Sequence, residues 1–157
     1  MRTGIFVGSF DPFTIGHESV VRRALGLFDR LVIGVGVNER KHCMMTAAER
    51  VDSIKRLYEG ESRVEVKTYS DLTVDFARRE GAAYVVKGVR TIRDFEAERE
   101  QADINRRLEG LETIVLFTEP GLESVSSSMV RELKHFGRDA SQFVPCPGNN
   151  KATTSNH

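Results

Sequence analysis

A short segment near the start of the chain, GSFDPFTIGH (residues 8–17), places hydroxyl, carboxylate and imidazole groups directly after an apolar run. If a helix begins here, its first N–H groups and its positive dipole end favour an anion. Gly8 and Gly16 would let that anion approach the main chain closely. His17 is the strongest candidate ligand, because a protonated imidazole at a helix start is disfavoured unless an anion lies beside it. The segment therefore suits a phosphate group, although His17 could instead hydrogen-bond only a neighbouring carbonyl.

Other phosphate-binding signatures do not fit the chain. The segment 8–17 matches neither GxxxxGK[ST] nor GxGxxG, and GVGVNE (residues 34–39) lacks the third glycine and begins inside a predicted strand. Ser9 and the Asp11-Pro12 pair are also ordinary turn residues, so each alone indicates no more than a loop. The phosphate interpretation therefore depends on further segments.

A second segment, KGVRTIRDFEAERE (residues 87–100), carries basic groups after another apolar run. Lys87 and Arg90 flank the turn and could hold two phosphoryl groups. On the helix that follows, 100° per residue puts several polar side chains on one stripe, which by itself is more often a solvated face. The stripe consists of Thr91, Asp94, Glu98, Gln101 and Asn105.

A third segment, SVSSSMV (residues 124–130), places serines at a predicted helix start. Their hydroxyl and N–H groups suit phosphate oxygens, and N-capping by Ser126 is the simpler explanation. All three segments follow predicted strands, so they are expected to meet at one edge of a sheet. Three such loops together indicate a nucleotide polyphosphate as the ligand.

Alternating β-rich and helical patterns supply the scaffold. The strand candidates are nearly continuous in Val, Ile, Leu and Phe, which is typical of strands covered on both faces. They span residues 3–8, 30–37, 63–69, 82–88 and 112–117. Helical stripes run from Val20 to Phe28 and from Val51 to Tyr58, the second after a Thr46 and Glu49 capping box, and further helices are predicted over 73–80, 91–108 and 126–136. The pattern predicts an α/β fold: a single-domain, Rossmann-like, doubly wound parallel sheet of about five strands.

Composition limits the classes of function. The chain has 157 residues, with 23 basic and 23 acidic side chains, so its net charge favours neither a nucleic acid nor a membrane as partner. We expect one domain over residues 1–145 and a disordered tail over residues 146–157. The two cysteines, Cys43 and Cys146, lack disulfide or metal-ligand spacing, and no secretory segment precedes the first strand. A cytoplasmic protein with free thiols is the expectation.

The three loops also carry a family resemblance. TIGH together with a serine-rich helix start resembles the nucleotidyltransferase superfamily, which carries [HT]xGH. More narrowly, the chain resembles bacterial phosphopantetheine adenylyltransferases over Met1 to about Pro145. The motifs that match in order and spacing are GSFDPFTxGH, Lys41 before MxTxxER, SDLTVDFA, KGVRxxxDFExE, NR and VSSS.

The resemblance implies the transfer of AMP from ATP to 4'-phosphopantetheine, which gives dephospho-coenzyme A and pyrophosphate. It also implies Mg²⁺ held chiefly by substrate oxygens and water rather than by protein ligands, a homohexamer, and coenzyme A as a feedback ligand. In this scheme His17 bonds the α-phosphate, while Arg90 and the Ser126 to Ser128 region hold the β and γ groups.

Residue roles follow from the resemblance position by position. The catalytic residues would be His17, Lys41 and Arg90. Phosphopantetheine would be held by Ser9, Lys41, Asp71, Leu72, Thr73, Lys87 and Asn105. ATP would be held by Ser9, Phe10, His17, Gly88, Val89, Arg90, Glu98, Leu122, Glu123, Ser124, Val125, Ser126, Ser127 and Ser128. The sequence departs from the family pattern at Ser9, where Thr is more frequent, at Lys87, where Arg is common, and at Val125, where Ile is usual.

Two alternatives remain at this point. The chain could be another adenylyltransferase of the superfamily, for example one that acts on a pyridine mononucleotide, or a catalytically silent nucleotide sensor with the same fold. The intact Ser9, His17, Lys41 and Arg90 count against the sensor.

Overall fold

A computed structural model describes residues 1–148 and contains one parallel sheet of five strands in the order β3-β2-β1-β4-β5. Helices connect the successive strands, as parallel pairing requires. The elements are β1 Thr3–Gly8, α1 Ile15–Ala24, β2 Arg30–Gly36, α2 Ala47–Leu57, β3 Val64–Tyr69, α3 Thr73–Glu80, β4 Tyr84–Val89, α4 Ile92–Glu109, β5 Glu112–Phe117, α5 Ser127–His135 and a 3₁₀ turn Ser141–Phe143. The predicted α/β fold with a five-stranded doubly wound sheet is confirmed.

The first strand lies at the centre of the sheet and sets the position of the site. Ile5 of β1 lies opposite Val32 of β2 on one side and Val85 of β4 on the other. The chain therefore fills the sheet from β1 outward in one direction and then returns to fill the other side from β4. Loops after β1 and β4 separate at this switch point, which is where doubly wound sheets form their ligand crevice.

The core consists of two layers, one on each face of the sheet. Phe6 and Ile33 point to the face covered by α1 and α2, whereas Ile5, Val32 and Phe76 pack together on the face covered by α3. Because successive strand residues point to opposite faces, a strand buried on both sides has no polar positions. This arrangement explains the continuous apolar runs of the sequence.

A close approach of helix α3 to the sheet requires Gly34, in the middle of β2. A Cβ atom placed on Gly34 would lie 2.5 Å from Cε1 of Phe76 and 3.0 Å from Cγ1 of Val7. No side chain fits there unless the Phe76 ring moves. The glycine of GVGV is thus explained by packing, in agreement with the rejection of a dinucleotide fingerprint.

The predicted boundaries of the strands and of the other helices agree with the structure to within two residues, and the largest correction concerns α1. The predicted helical stripe reaching Phe28 is too long, because α1 ends at Ala24 and Phe28 packs against the main chain at Gly4 from the following turn. The Thr46 hydroxyl caps α2 by accepting the Glu49 amide at 3.1 Å.

Residues 149–157, most of the predicted tail, lie outside the described residues. Among residues 1–148, no helix has both the length and the apolar character needed to cross a membrane.

Candidate active site

A cleft of about 340 Å³ opens at the carboxyl ends of β1 and β4. Its walls come from the loop after β1, the start of α1, the loop after β4 and the start of α5, so the three predicted segments do meet. The predicted site residues that line it are Ser9, Phe10, His17, Lys41, Lys87, Gly88, Arg90, Glu98, Leu122, Val125, Ser126, Ser127 and Ser128.

The hydrogen bonds of His17 determine which ring nitrogen carries the proton. The amide of Thr14, the N-cap of α1, donates to Nδ1 of His17 at 3.0 Å, and the His17 amide is in turn capped by the Thr14 hydroxyl. This is a capping box in which histidine takes the place usually held by Glu or Gln. Since Nδ1 accepts a bond, the neutral ring carries its proton on Nε2, which is left as a donor.

The surroundings of His17 keep the ring neutral. The ring centroids of Phe6, Phe10 and Phe13 lie 6.1, 5.0 and 5.3 Å from that of His17. Burial among these rings, and to a smaller extent the positive charge of Arg90, lowers the pKa of His17 to about 4. His17 is therefore an uncharged hydrogen-bond donor near neutral pH, and the helix dipole does not have to accommodate a cation.

Phe10 belongs to this aromatic packing rather than to the open part of the cleft. Its side chain is buried, and its backbone lies in the left-handed region with φ of 50°. Such a conformation is uncommon for a bulky residue and concentrates at ligand sites. A contact between Phe10 and a ligand would therefore come from the main chain.

Lys41 reaches the cleft from the segment between β2 and α2. Its Nζ donates to the Ser9 hydroxyl at 2.9 Å, across 32 positions of sequence. The buried Arg50 donates to the carbonyl oxygen of Ser9 at 2.7 Å and to that of Gly36 at 3.0 Å. Arg50 thus joins the ends of β1 and β2, and Lys41 contacts the side chain of one of the two residues that Arg50 binds.

Lys87 and Glu98 form an ion pair, with Nζ and Oε2 3.2 Å apart, that borders two cavities. One is the cleft described above, and the other is a neighbouring groove between the end of β3 and helix α4. The groove contains all the remaining residues predicted for phosphopantetheine, namely Asp71, Leu72, Thr73 and Asn105.

Helix α4 presents part of its predicted polar stripe to this groove. Glu98, Gln101 and Asn105 line it, and Gln101 Nε2 donates to Oδ1 of the buried Asn105 at 3.0 Å. Thr91 and Asp94, the first two residues of the stripe, do not line the groove. The Thr91 hydroxyl instead accepts the Asp94 amide and so caps α4. The stripe is therefore more than a solvated face.

Asp71 and Leu72 form the outer edge of the groove. The Asp71 carboxylate forms an ion pair with Arg79, and this hydrogen bond lowers the pKa of Asp71. Leu72 is exposed and is the N-cap residue of α3. An apolar chain laid along the groove would cover Leu72.

The serines at the start of α5 have separate tasks. Ser126 accepts the Met129 amide at 3.1 Å, which confirms N-capping, and Ser127 donates to the carbonyl oxygen of Pro12 at 2.7 Å. Ser128 accepts a bond from Arg131. Ser127 thus donates its hydroxyl proton within the protein, whereas Ser126 and Ser128 only accept in these bonds. An anion could therefore be bound here by the first-turn amides, which a helix cannot satisfy itself, together with the hydroxyls of Ser126 and Ser128.

Three residues predicted for ATP do not line the cleft. Val89 is 4% exposed and its side chain belongs to the core, while Glu123 and Ser124 lie outside the lining. Gly88 does line it, and packing also requires this glycine, because an added Cβ would lie 2.8 Å from Cγ2 of Val20. The sequence thus predicts the segments better than the individual side chains.

Further lining residues have no counterpart in the sequence predictions. They include Ser19 and Arg23 on α1, Thr118 and Glu119 after β5, and Arg131 on α5. Helical spacing could have found some of them, since Ser19 and Arg23 follow Gly16 at intervals of three and seven residues. Within residues 1–148, no group of three or more His, Cys, Asp or Glu side chains is arranged to hold a metal ion.

Known proteins resemble this chain in sequence and in fold. The cytidylyltransferase-like family matches residues 5–133. The phosphopantetheine adenylyltransferase of Phocaeicola vulgatus is 54% identical over 145 residues, which cover 92% of this chain and 96% of the relative. That of Bacteroides fragilis is 52% identical over 92% of this chain and 97% of its own length. Among solved structures, a bifunctional NMN adenylyltransferase/ADP ribose pyrophosphatase from Francisella tularensis has a similar fold, with a TM-score of 0.69, 14% identity, and coverage of 91% of this chain and 44% of that one.

Proposed function

This chain belongs to the phosphopantetheine adenylyltransferases within the cytidylyltransferase-like family, and we propose that its cleft and groove hold the two substrates on either side of Lys87 and Glu98. The enzyme transfers AMP from ATP to 4'-phosphopantetheine and yields dephospho-coenzyme A and pyrophosphate. The proposal concerns which residues do this and how.

ATP occupies the cleft in this proposal. Nε2 of His17 donates to a non-bridging oxygen of the α-phosphate, and Arg90 with the first turn of α5 binds the β- and γ-phosphates. The observation that carries the assignment is the bond from the Thr14 amide to Nδ1 of His17, because it leaves the ring N–H proton on Nε2 of a residue that lines the cleft. Glu98 lies at the boundary with the groove.

Phosphopantetheine lies with its phosphate near Ser9, Lys41 and Lys87 and its arm along the groove past Thr73 and Asn105. The ammonium group of Lys41, and that of Lys87, which is shared with Glu98, offset part of the charge of the incoming dianion. Asn105 is buried and its Oδ1 already accepts a bond from Gln101, so its amide N–H₂ group is the part that suits a carbonyl of the arm.

The reaction then needs positioning rather than a base. A phosphate oxygen of phosphopantetheine attacks the α-phosphorus, the new P–O bond forms, and the bond to the β-phosphate oxygen breaks, so that pyrophosphate leaves with the electron pair. The nucleophile is already ionised, and no proton has to be removed. Lys41, His17 and Arg90 stabilise charge as it moves from the acceptor toward pyrophosphate.

The role of Mg²⁺ follows from the charges already in the cleft. Its two carboxylates are paired, Glu98 with Lys87 and Glu119 with Arg22 and Ser19, so they are poor candidates for a metal cage. Mg²⁺ would enter on the triphosphate, held by phosphate oxygens and water, and neutralise charge there. Rates should follow the concentration of the Mg–ATP complex, and titration calorimetry of Mg²⁺ into the protein alone should show no saturable site.

The acceptor is tested by measuring pyrophosphate release from ATP with phosphopantetheine or with nicotinamide mononucleotide. Release with phosphopantetheine alone is the expected result. Release with the mononucleotide alone would contradict the proposed arrangement of the groove.

We also propose that the chain assembles as a homohexamer. Ile92 is 80% exposed, Phe117 72% and Phe95 43%, which is unusual for large apolar side chains. Phe117 is the last residue of β5, the outermost strand, and it pairs in register with Val89 of β4. The turn into α4 follows Val89, so Ile92 and Phe95 lie near the same end of the sheet as Phe117. Light scattering should give six times 17.6 kDa, and Phe117→Asp should lower that mass.

Two further expectations rest on the same family. Coenzyme A contains the product together with one extra phosphate, so it should compete with both substrates for the cleft and groove. Inhibition that does not change with either substrate concentration would contradict this. The site of action is expected to be the cytoplasm, which fractionation of cells would test.

A further inference from the structure

Asp11 is a buried carboxylate whose two oxygens both accept main-chain amides from a distant segment. Oδ2 accepts the Met44 amide at 2.7 Å, and Oδ1 accepts the Met45 amide at 2.9 Å, while Asp11 itself is 2% exposed. Bonds of this kind to an ionised group are stronger than neutral ones, and a buried charge without partners is costly. The side chain is therefore dedicated to residues 44 and 45.

Those residues end the segment that carries Lys41. Between β2 and α2, residues 37–46 form neither helix nor strand, and Lys41 and Met44 are exposed. Lys41 nonetheless reaches back to the Ser9 hydroxyl, two residues before Asp11. The Asp11 carboxylate thus holds the C-terminal end of a segment that carries Lys41, a cation of the candidate site, near its middle.

The loop that bears Asp11 is held by other bonds. The main-chain carbonyl of Asp11 accepts a bond from Arg131 at 2.7 Å. The Ser9 carbonyl accepts one from Arg50, and the Pro12 carbonyl accepts one from Ser127. None of these involves the Asp11 side chain. Removing the carboxylate should therefore release residues 44 and 45 while the loop itself stays in place.

We propose that Asp11 is a positioning residue for Lys41: its carboxylate fixes residues 44 and 45 so that the ammonium group lies over Ser9 before substrate arrives. Holding a charged group in place in advance lowers the reorganisation needed during the reaction. The kinetic part of this inference rests on the proposed contact of Lys41 with phosphopantetheine, whereas the structural part does not.

The structural part is tested by hydrogen exchange. The Met44 and Met45 amides bind different oxygens of Asp11, so in Asp11→Asn with the same side-chain orientation one of them faces an N–H₂ donor instead of an acceptor. The Met44 and Met45 amides should exchange at least about tenfold faster, with core strand amides unchanged. Asp29→Asn is the matched control, because that carboxylate accepts the Arg2 amide at the opposite end of β1. Unchanged exchange at residues 44 and 45 would overturn the inference.

The kinetic part is tested by a double-mutant cycle with Lys41→Met. Asp11→Asn should lower kcat/KM for phosphopantetheine by on the order of tenfold and leave the KM for ATP nearly unchanged. In the Lys41→Met background it should have little further effect. Losses that simply multiply would mean that Asp11 acts independently of Lys41, which overturns the positioning role.

The outcomes separate this inference from the proposed function. If Lys41→Met alone leaves kcat/KM unchanged, the proposed role of Lys41 fails, and the exchange measurement still decides whether Asp11 holds the segment. If Asp11→Asn does not fold, Met45→Pro removes one donor and keeps the carboxylate. That variant should show the same selective loss for phosphopantetheine, and full activity of the folded variant would overturn the inference.

Discussion

Lys87 and Glu98 face each other where the cleft and the groove meet, with the ammonium nitrogen 3.2 Å from a carboxylate oxygen and side chains 20% and 28% exposed. A residue assigned to phosphopantetheine is thereby paired with one assigned to ATP. The charge of Lys87 is partly offset before any ligand binds, so a substrate phosphate must compete with Glu98 for it.

Lys87→Arg should lower the KM for phosphopantetheine by about threefold to tenfold, with little change in the KM for ATP. A guanidinium can bond a phosphate through two parallel N–H groups while still contacting Glu98, whereas an ammonium offers a compact, more hydrated charge. Kinetics with each substrate varied in turn would measure this. Lys67→Arg is a matched control, because Lys67 is also a strand lysine paired with a glutamate, Glu80 at 2.7 Å. A raised phosphopantetheine KM would show that the site is packed around lysine.

His17→Ala should reduce kcat by about a hundredfold to a thousandfold while changing ATP affinity much less. The reason is that the Nε2 bond strengthens as charge develops at the α-phosphate. Steady-state kinetics and equilibrium ATP binding would be compared with those of His135→Ala, which removes an exposed histidine at the end of α5. Unchanged turnover in His17→Ala would remove this residue from the mechanism.

The lowered pKa of His17 predicts a change of stability with pH. Its pKa is about 4 in the folded chain and 6.5 in the unfolded chain, so below pH 6.5 the unfolded chain takes up a proton that the folded chain excludes. The free energy of unfolding therefore falls as pH falls from about 6.5 to about 4, by up to about 3 kcal/mol from this residue. Urea unfolding across this range should show a steeper loss for the natural chain than for His17→Asn, and parallel losses would argue against the shift.

Cys43 and Cys146 should be dispensable for catalysis. Cys43 is half-buried, Cys146 is exposed, and both are free thiols. A double Cys→Ser variant should keep its activity and its melting temperature within a few degrees. Lost activity with an unchanged melting temperature would reveal a thiol function.

Much of the fold could be predicted because strands buried on both faces and helices with apolar stripes have distinct periods. Residues 112–117 and 73–80 were predicted with the same ends that β5 and α3 have. The candidate site could be located because its main loops directly follow predicted strands, and the position of each loop after its strand can be read from the sequence. The end of α1 was placed too late because Phe28 continues the apolar pattern past the helix and is buried for a different reason.

The individual contacts could not be predicted, since they join positions far apart in sequence. Asp11 and Met44 are 33 residues apart, and Arg50 and Ser9 are 41 apart. In the sequence Asp11 before a proline is indistinguishable from a turn residue, and Arg50 from a surface arginine on a helix. Similarly, Val89 lies within a segment predicted to bind ATP, and only the pleat of β4 turns its side chain into the core.

The contact between Gly34 and the Phe76 ring restricts the order in which mutations can accumulate in this chain. Gly34→Ala is tolerated only after Phe76 has been replaced by a smaller residue, because the added Cβ would otherwise overlap the ring. Replacement of Phe76 can come first, and it destabilises the chain only by leaving a cavity. Melting temperatures of Gly34→Ala, Phe76→Leu and the double variant should therefore rank the double variant above Gly34→Ala. Two positions 42 residues apart are thereby constrained to change in one order, because a Cβ atom at position 34 would lie 2.5 Å from the Phe76 ring.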